Sequence, residues 1–216
     1  MTSAQFILIS LHLPVIASMV YALVAKTGEE TIAKLLKLFL ITTGALQLIS
    51  LLLWFLNINN LPVLHLLVPL RFILIVLMYK SILKGYIRLW ILYLLMIGFG
   101  LYSVINTLWV EPWNTFNAQA MTIESVLLVI LSLSAYIFLM DKQMTKHLGD
   151  DLQPSEWTNA GVFLYYTSSL LLMYFGEYII RVLSSQLNRY TWIMHGIFCI
   201  IMYYCFWRSL WNYRSR

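Results

Sequence analysis

Charged side chains are scarce in this sequence. Asp, Glu, Lys and Arg together make up 11% of its 216 residues, whereas 61% of the residues are hydrophobic. Soluble globular domains carry about 25% charged residues, so this composition excludes an ordinary soluble domain. The apolar runs recur along the whole chain and leave no room for a soluble domain between them.

Cysteine is also scarce, because the chain has two cysteines, Cys199 and Cys205, both in the last apolar run. Their spacing fits neither a CxxC redox pair nor a zinc knuckle. We therefore expect two buried thiols.

The last apolar run, TWIMHGIFCIIMYYCFWRSLW, contains no lysine. Retinal would need a lysine there for its Schiff base, so a retinal chromophore is excluded. The third run ends MYKSILKGYIR and has no acidic-Arg-aromatic triplet. The sequence therefore gives no support for coupling to G proteins.

What the sequence does contain is a series of apolar runs of about 20 residues, the length that crosses a hydrocarbon core roughly 30 Å thick. They predict an all-α polytopic membrane protein with a single seven-helix transmembrane domain over residues 1–216. The segment 141–157 mixes charges with Gly149 and Pro154, which predicts a solvated loop. The predicted spans are residues 4–25, 35–56, 61–83, 89–110, 121–140, 158–183 and 191–211.

The distribution of Lys and Arg predicts the orientation, because basic loops resist translocation. Arg189 stands alone on the opposite side, so we expect the N-terminus outside and the C-terminus in the cytoplasm. The same bias accounts for the net charge of +5 without a nucleic-acid partner, and the expected surroundings are a lipid bilayer. The basic residues on the predicted cytoplasmic side are Lys26, Lys34, Lys37, Lys80, Lys84, Arg88, Lys142, Lys146, Arg208, Arg214 and Arg216.

Polar and ionisable side chains within the predicted spans fall at similar depths, in the outer half of the bundle. Burying a charge in lipid costs about 2.5–3.5 kcal/mol even on the mild insertion scale, so such groups normally face the interior and pair. We therefore expect a polar ligand-binding pocket in which Arg71 pairs with Glu124 or Glu177 and His65 faces the same interior. The residues expected at this pocket are His12, His65, Arg71, Asn106, Glu124, Glu177 and His195.

Three of these residues are histidines, which zinc accepts together with a carboxylate oxygen. His12, His65 and His195 with Glu124, or with Glu177 in its place, form the candidate metal site, and a divalent metal such as zinc is the candidate cofactor. No local motif such as HExxH supports this set. In the alternative interpretation the same residues have a structural role only. Glu177 is then neutralised by Arg181, one turn along the same predicted helix, and the histidines hydrogen-bond to neighbouring helices.

The C-terminal third resembles a group of uncharacterised seven-helix inner-membrane proteins of Gram-negative bacteria. The resemblance rests on Trp192 and His195, which open the last helix as Trp-x-x-His, and on a Tyr-x-Ser-Ser pattern at Tyr166. Some members of that group accompany histidine-kinase modules. The resemblance therefore implies a bacterial inner-membrane protein with a sensory role, whose output would pass to a separate signalling protein on the cytoplasmic side.

Three functions remain open at this point. A membrane sensor or interaction module with a ligand or metal in the outer pocket leads. The segments LHLLVPLRFILIVLMYKSIL and MHGIFCIIMYYCFWRSLW resemble each other, which suggests an internal repeat of three helices on either side of a single linking helix. Sugar-exporting and vitamin-permease folds have this arrangement, so the second candidate function is a small-solute transporter. An intramembrane metal hydrolase would need the histidines on one metal with an open coordination position.

Overall fold

The structure is a computed structural model that describes residues 3–26, 30–146, 149–175, 178, 182 and 184–214. These residues form α-helices and short connections and contain no β-strand. The fourth helix continues into a π-helical segment, Asn106–Val110. The α-helices are α1 (Ser3–Val24), α2 (Thr31–Phe55), α3 (Leu61–Ile82), α4 (Leu89–Ile105), α5 (Ala118–Lys146), α6 (Gly149–Tyr174) and α7 (Ser185–Arg214).

Among the residues that the structure describes, five helices are long and apolar enough to cross a membrane. An α-helix satisfies its own backbone N–H and C=O groups, which lipid cannot do, so apolar runs of this length become continuous helices in a bilayer. α1 adds a shorter apolar helix over His12–Val24. These are the features of an integral membrane protein. The five spans are Thr31–Phe55, Leu61–Ile82, Leu89–Val110, Ala118–Asp141 and Gln186–Tyr213.

The exposed surface of α4 is apolar. Leu94, Ile97 and Leu101 are each at least 60% exposed and recur at spacings of three and four residues along the helix. Acyl chains solvate such a stripe, whereas water would not. By contrast, 50% of the residues in the apolar stretch of α3 are buried inside the bundle. α4 therefore lies at the periphery and α3 in the interior.

Of the seven described helices, six form a closed ring, and α4 lies outside it against α3. Around the ring, α1 packs on α2, α2 on α3, α3 on α5, α5 on α6, α6 on α7 and α7 on α1. This order has an approximate twofold pattern. In each triplet, α1–α3 and α5–α7, the middle helix packs on both neighbours, and the triplets meet where α1 packs on α7 and α3 packs on α5.

A tyrosine on the third helix of each triplet reaches the middle helix of the other triplet. Tyr203 of α7 donates a hydrogen bond to the Thr43 hydroxyl of α2 at 2.9 Å. Tyr79 of α3 donates to the side-chain oxygen of Asn159 on α6 at 2.7 Å, and Ser132 of α5 donates to the same oxygen at 2.9 Å. These side-chain contacts repeat the twofold pattern of the helix packing.

The expected solvated loop over residues 141–157 is wrong. α5 and α6 extend into it from both sides, and α6 begins at Gly149 instead of residue 158. Pro154 lies in an early turn of α6, where it removes one backbone donor without ending the helix. Its carbonyl accepts hydrogen bonds from the hydroxyls of Thr158 and Ser209, so the segment is held against α7.

Gly161 determines how closely α6 approaches α7. A Cβ at this position would lie 2.9 Å from Cys205 Cβ and 3.2 Å from the Met202 carbonyl oxygen. We expect Gly161→Ala to push the helices apart and to cost about 1–3 kcal/mol of stability, the usual range for overpacking. Thermal denaturation in detergent measures this loss. Gly98→Ala is the matched control, because a Cβ there has nothing within 4 Å; equal melting temperatures for the two variants would contradict the close approach.

Candidate ligand-binding site

Arg71 of α3 and Glu124 of α5 form a buried ion pair. Arg71 donates two parallel hydrogen bonds, from Nε to Glu124 Oε1 at 2.9 Å and from Nη2 to Glu124 Oε2 at 2.5 Å. The two residues are 7% and 0% exposed, so both charges are withdrawn from solvent. Of the two acids expected to pair with Arg71, Glu124 is therefore a partner, and Glu177 lies outside the described residues. Two-point contact supplies the geometry that a buried pair needs to offset its desolvation.

Two adjacent tyrosines of α6 complete the surroundings of this pair. Tyr166 donates a hydrogen bond to Glu124 Oε1 at 3.1 Å, and Arg71 Nη1 donates to the Tyr165 hydroxyl at 3.4 Å. The guanidinium carbon lies 5.7 Å from the ring centroid of Tyr165 and 5.4 Å from that of Tyr166. Aromatic faces at this range stabilise a desolvated cation. The pair thereby ties α6 to α3 and α5.

His195 of α7 continues the polar contacts beyond Tyr165. Its Nε2 lies 3.2 Å from the Tyr165 hydroxyl, and its Nδ1 lies 3.1 Å from the Ser169 hydroxyl. When Tyr165 accepts from Arg71 and donates to Nε2, the neutral ring carries its hydrogen on Nδ1 and donates it to Ser169. Glu124, Arg71, Tyr165, His195 and Ser169 then form one hydrogen-bonded chain across four helices, which we call the polar chain.

One side of the polar chain borders a cavity of about 290 Å³ within the bundle. We call this space the central cavity. Arg71 lines this cavity, whereas its partner Glu124 is not among the lining residues. The wall comes from α1, α2, α3, α5, α6 and α7 and from the connection before α5. Its polar side chains are those of His12, Thr43, Gln47, Ser50, Arg71, Tyr165, His195 and Tyr203.

Aromatic and aliphatic side chains line the rest of the central cavity. Phe116 precedes α5 and Trp192 lies near the start of α7, and their rings meet edge to face with centroids 5.5 Å apart. Trp192 also packs edge to face on the His195 ring at 5.9 Å. Leu64 and Leu67 of α3 contribute aliphatic wall. The cavity therefore combines hydrogen-bonding groups with an apolar region, as ligand pockets in proteins commonly do.

His65 lies outside the central cavity. Its Nδ1 is 2.9 Å from the Thr107 hydroxyl and its Nε2 is 3.1 Å from the Thr115 carbonyl oxygen. A carbonyl only accepts, so in the neutral ring Nε2 donates to Thr115. The single hydrogen of the Thr107 hydroxyl is then shared between His65 Nδ1 and the Ser103 carbonyl oxygen, which lies 2.9 Å from that hydroxyl. His65 and Arg71 are six residues apart, which places them about 120° apart around a helix of 3.6 residues per turn. His65 thus fastens the π-helical segment and the following connection to α3.

Asn106 also holds the α4–α5 connection in place and does not line the central cavity. Its amide nitrogen donates to Glu111 Oε2 at 2.9 Å and to the Asn117 side-chain oxygen at 3.0 Å. The Glu111 carboxylate accepts the backbone N–H of Gln119, at the start of α5, at 3.0 Å. An anion at a helix N-terminus is stabilised by the unpaired N–H groups there. The structure therefore separates the predicted cluster into a cavity group and a group that holds the α4–α5 connection.

The candidate zinc ligands are placed differently from one another. His12 and His195 line the central cavity, His65 bonds to the α4–α5 connection, and both Glu124 oxygens accept from Arg71. Within the described part of the chain, no group of three or more His, Cys, Asp or Glu residues could hold a metal ion. Zinc binding stays a prediction.

Two residues of the site, Tyr165 and Tyr203, were missed by sequence reasoning. Tyrosines in apolar runs are typical of interfacial aromatic belts, so residue type alone does not mark these two as part of a site. The signal that could have found them is their position: each lies well inside its apolar run, where a buried hydroxyl needs a partner. Tyr165 finds Arg71 and His195, and Tyr203 finds Thr43.

Compared with protein-family models, curated proteins and solved structures, the chain matches none of them. The resemblance suggested by Trp192, His195 and the tyrosine pattern stays a prediction. A proposal of function therefore rests on the chemistry of the central cavity.

Replacing Arg71 by Met would leave Glu124 buried without its cation. We expect Arg71→Met to cost about 3–5 kcal/mol of stability, the range for breaking one side of a buried pair. The double variant Arg71→Met/Glu124→Gln should recover much of this loss, because no charge is then stranded. Thermal unfolding of both single variants and the double variant measures the coupling. Lys84→Met, which removes an exposed charge, is the control, and strictly additive losses would contradict the pairing.

Proposed function

We propose that the protein is a membrane-embedded sensor that binds a small ligand in the central cavity. The observation that carries this proposal is the cavity itself, about 290 Å³ in volume and walled by six helices. An ion pair with a purely structural role has no need of open space beside it, since interiors pack to high density. Here Arg71, Tyr165 and His195 border the space as well as each other.

The polar chain gives the ligand a means of acting on the helices. A ligand that bonds to His195 or Tyr165 competes with bonds that join α3, α6 and α7. Its binding energy can then favour one arrangement of α7 over another, which is what a sensor requires. α7 also carries the basic C-terminal segment of the chain, where a separate signalling protein would read its position.

The proposed topology is seven spans in a bacterial inner membrane, with the N-terminus outside. The positive-inside rule supports this orientation, and it places the central cavity in the outer half of the bundle. Reporter fusions after each connection test it. Fusions at Ile58, Thr115 and Leu187 should report the periplasm, and those at Glu30, Tyr86, Leu148 and Arg216 the cytoplasm. A reversed or six-span pattern would overturn the topology.

The two native cysteines test whether the central cavity admits water. Cys199 lines the cavity, whereas Cys205 is 4% exposed and is not part of the wall. A cysteine thiolate attacks the sulfenyl sulfur of a methanethiosulfonate, forms a mixed disulfide and displaces methanesulfinate, so labelling by a small water-soluble reagent needs aqueous access to the thiol. We expect the reagent to modify Cys199 in the Cys205→Ala variant, as measured by mass spectrometry. The matched variant Cys199→Ala should stay unmodified at Cys205, and equal labelling of the two would contradict a wet cavity.

Small-solute transport is a second candidate, favoured by the twofold packing pattern of the triplets α1–α3 and α5–α7. Many transporters consist of repeated halves with the substrate site between them. In sealed vesicles, a membrane-impermeant reagent should reach Cys199 from one face if the protein is a sensor with an outward cavity. Access from both faces would favour transport.

A further inference from the structure

The wall of the central cavity also indicates what kind of ligand it takes. Among the described residues that line the cavity, Arg71 is the only lysine, arginine, aspartate or glutamate. Its partner Glu124 does not line the cavity. Among the described lining residues there is no carboxylate to receive a cation. The formal charge at the cavity surface is therefore positive, although Arg71 and Glu124 together are neutral.

The geometry of the guanidinium decides which of its nitrogens faces a ligand. Nε and Nη2 both donate to Glu124, at 2.9 Å and 2.5 Å, while Nη1 makes a longer bond of 3.4 Å to Tyr165. An anion beside Nη1 lies nearer to the guanidinium than to the carboxylate behind it, so attraction exceeds repulsion. Nη1 can bond such an anion and keep the pair with Glu124 intact.

Hydrogen-bonding side chains that line the cavity together with Arg71 can serve the second oxygen of an anion. The side-chain amide of Gln47 has a nitrogen that can donate, and His195 can donate from Nδ1 when it gives up its bond to Ser169. Phe116, Trp192 and Leu64 supply apolar wall at the end where α3, α5 and α7 begin. The cavity thus offers a cationic donor together with apolar surface.

We infer that the central cavity binds a small amphipathic monocarboxylate, with its carboxylate at Arg71 Nη1 and its apolar body against Phe116 and Trp192. This inference deepens the proposed sensor function and rests on it. At about 30 Å³ for each water molecule, the cavity holds on the order of ten heavy atoms. An acid of the size of phenylacetate fits that volume, whereas a long-chain fatty acid exceeds it.

Three probes of similar size test the charge preference: phenylacetate, its neutral isostere phenylacetamide and the cation 2-phenylethylamine. Isothermal titration calorimetry on the full chain in lipid nanodiscs gives their dissociation constants. We expect phenylacetate to bind about tenfold or more tightly than the amide, because hydrogen bonds to a charged group are stronger. The amine should bind most weakly. Equal binding of acid and amide, tighter binding of the amine, or no binding of any probe would overturn the inference.

Two variants of α3 locate the site. Leu64→Trp fills the central cavity and should abolish phenylacetate binding. Leu66→Trp is the matched control, because Leu66 is 58% exposed on the same helix, and it should bind normally. Equal binding by both variants would place the acid elsewhere and overturn the inference. Arg71→Lys removes the planar fork and should reduce the preference for acid over amide.

The outcomes separate this inference from the sensor function. If the amide or amine binds best and Leu64→Trp abolishes that binding, the cavity is a ligand site and only the carboxylate assignment fails. If Cys199 resists the water-soluble reagent and Leu64→Trp changes no binding, the sensor proposal itself fails. If Arg71→Lys does not fold, the three probes on the unmodified chain still decide the charge preference.

Discussion

Arg71 and Glu124 carry opposite charges in the interior of a bundle whose outer surface consists largely of exposed hydrophobic side chains. Either charge alone would cost several kcal/mol there, because the hydration that stabilises it in water is lost. The pair is tolerable only when α3 and α5 lie side by side at one height. Tyr165 and Tyr166 hydrogen-bond to the same pair, so α6 must also lie beside α3 and α5 at that height. The positions of three helices therefore depend on the satisfaction of two charges.

The remaining polar contacts extend this constraint to the rest of the ring. Tyr203 and Thr43 join α7 to α2, and Asn159 joins α3 and α5 to α6. In a bilayer the hydrophobic effect gives little reason for one helix to prefer another, because acyl chains are as apolar as leucine. Specific hydrogen bonds and close packing must supply the preference. That is why the polar side chains that join the helices of this bundle lie between them.

The interface of α6 and α7 shows how a cavity can arise in such a bundle. At Gly161 the absence of a side chain lets α7 approach closely, with Cys205 and Met202 against the glycine. One turn further along α6, Tyr165 meets the His195 ring with centroids 5.3 Å apart. Large side chains separate helix axes where small ones let them meet. The cavity lies beside these large side chains, so its existence follows from the distribution of residue sizes along one interface.

The separation of His65 and Asn106 from the cavity has a geometric cause. Depth along a helix can be read from residue number, since each residue rises 1.5 Å, and these residues do lie near the level of the α4–α5 connection they hold. Direction around the helix also follows from residue number, but only relative to a known neighbour. Without knowing which helices flank α3, the sequence could not say that His65 meets Thr107 and Thr115 while Arg71 meets Glu124.

The sequence by itself determined that the chain is a helical membrane protein, because apolar runs of spanning length have one stable backbone form in lipid. It also determined that Arg71 needs an acid, since a guanidinium keeps its proton and few acids are within reach. Tertiary structure decided that the acid is Glu124, that Tyr165 links it to His195, and that His65 turns away. The reason is that helix neighbours depend on contacts between residues far apart in the chain, such as the 53 positions between Arg71 and Glu124, and no local pattern encodes them.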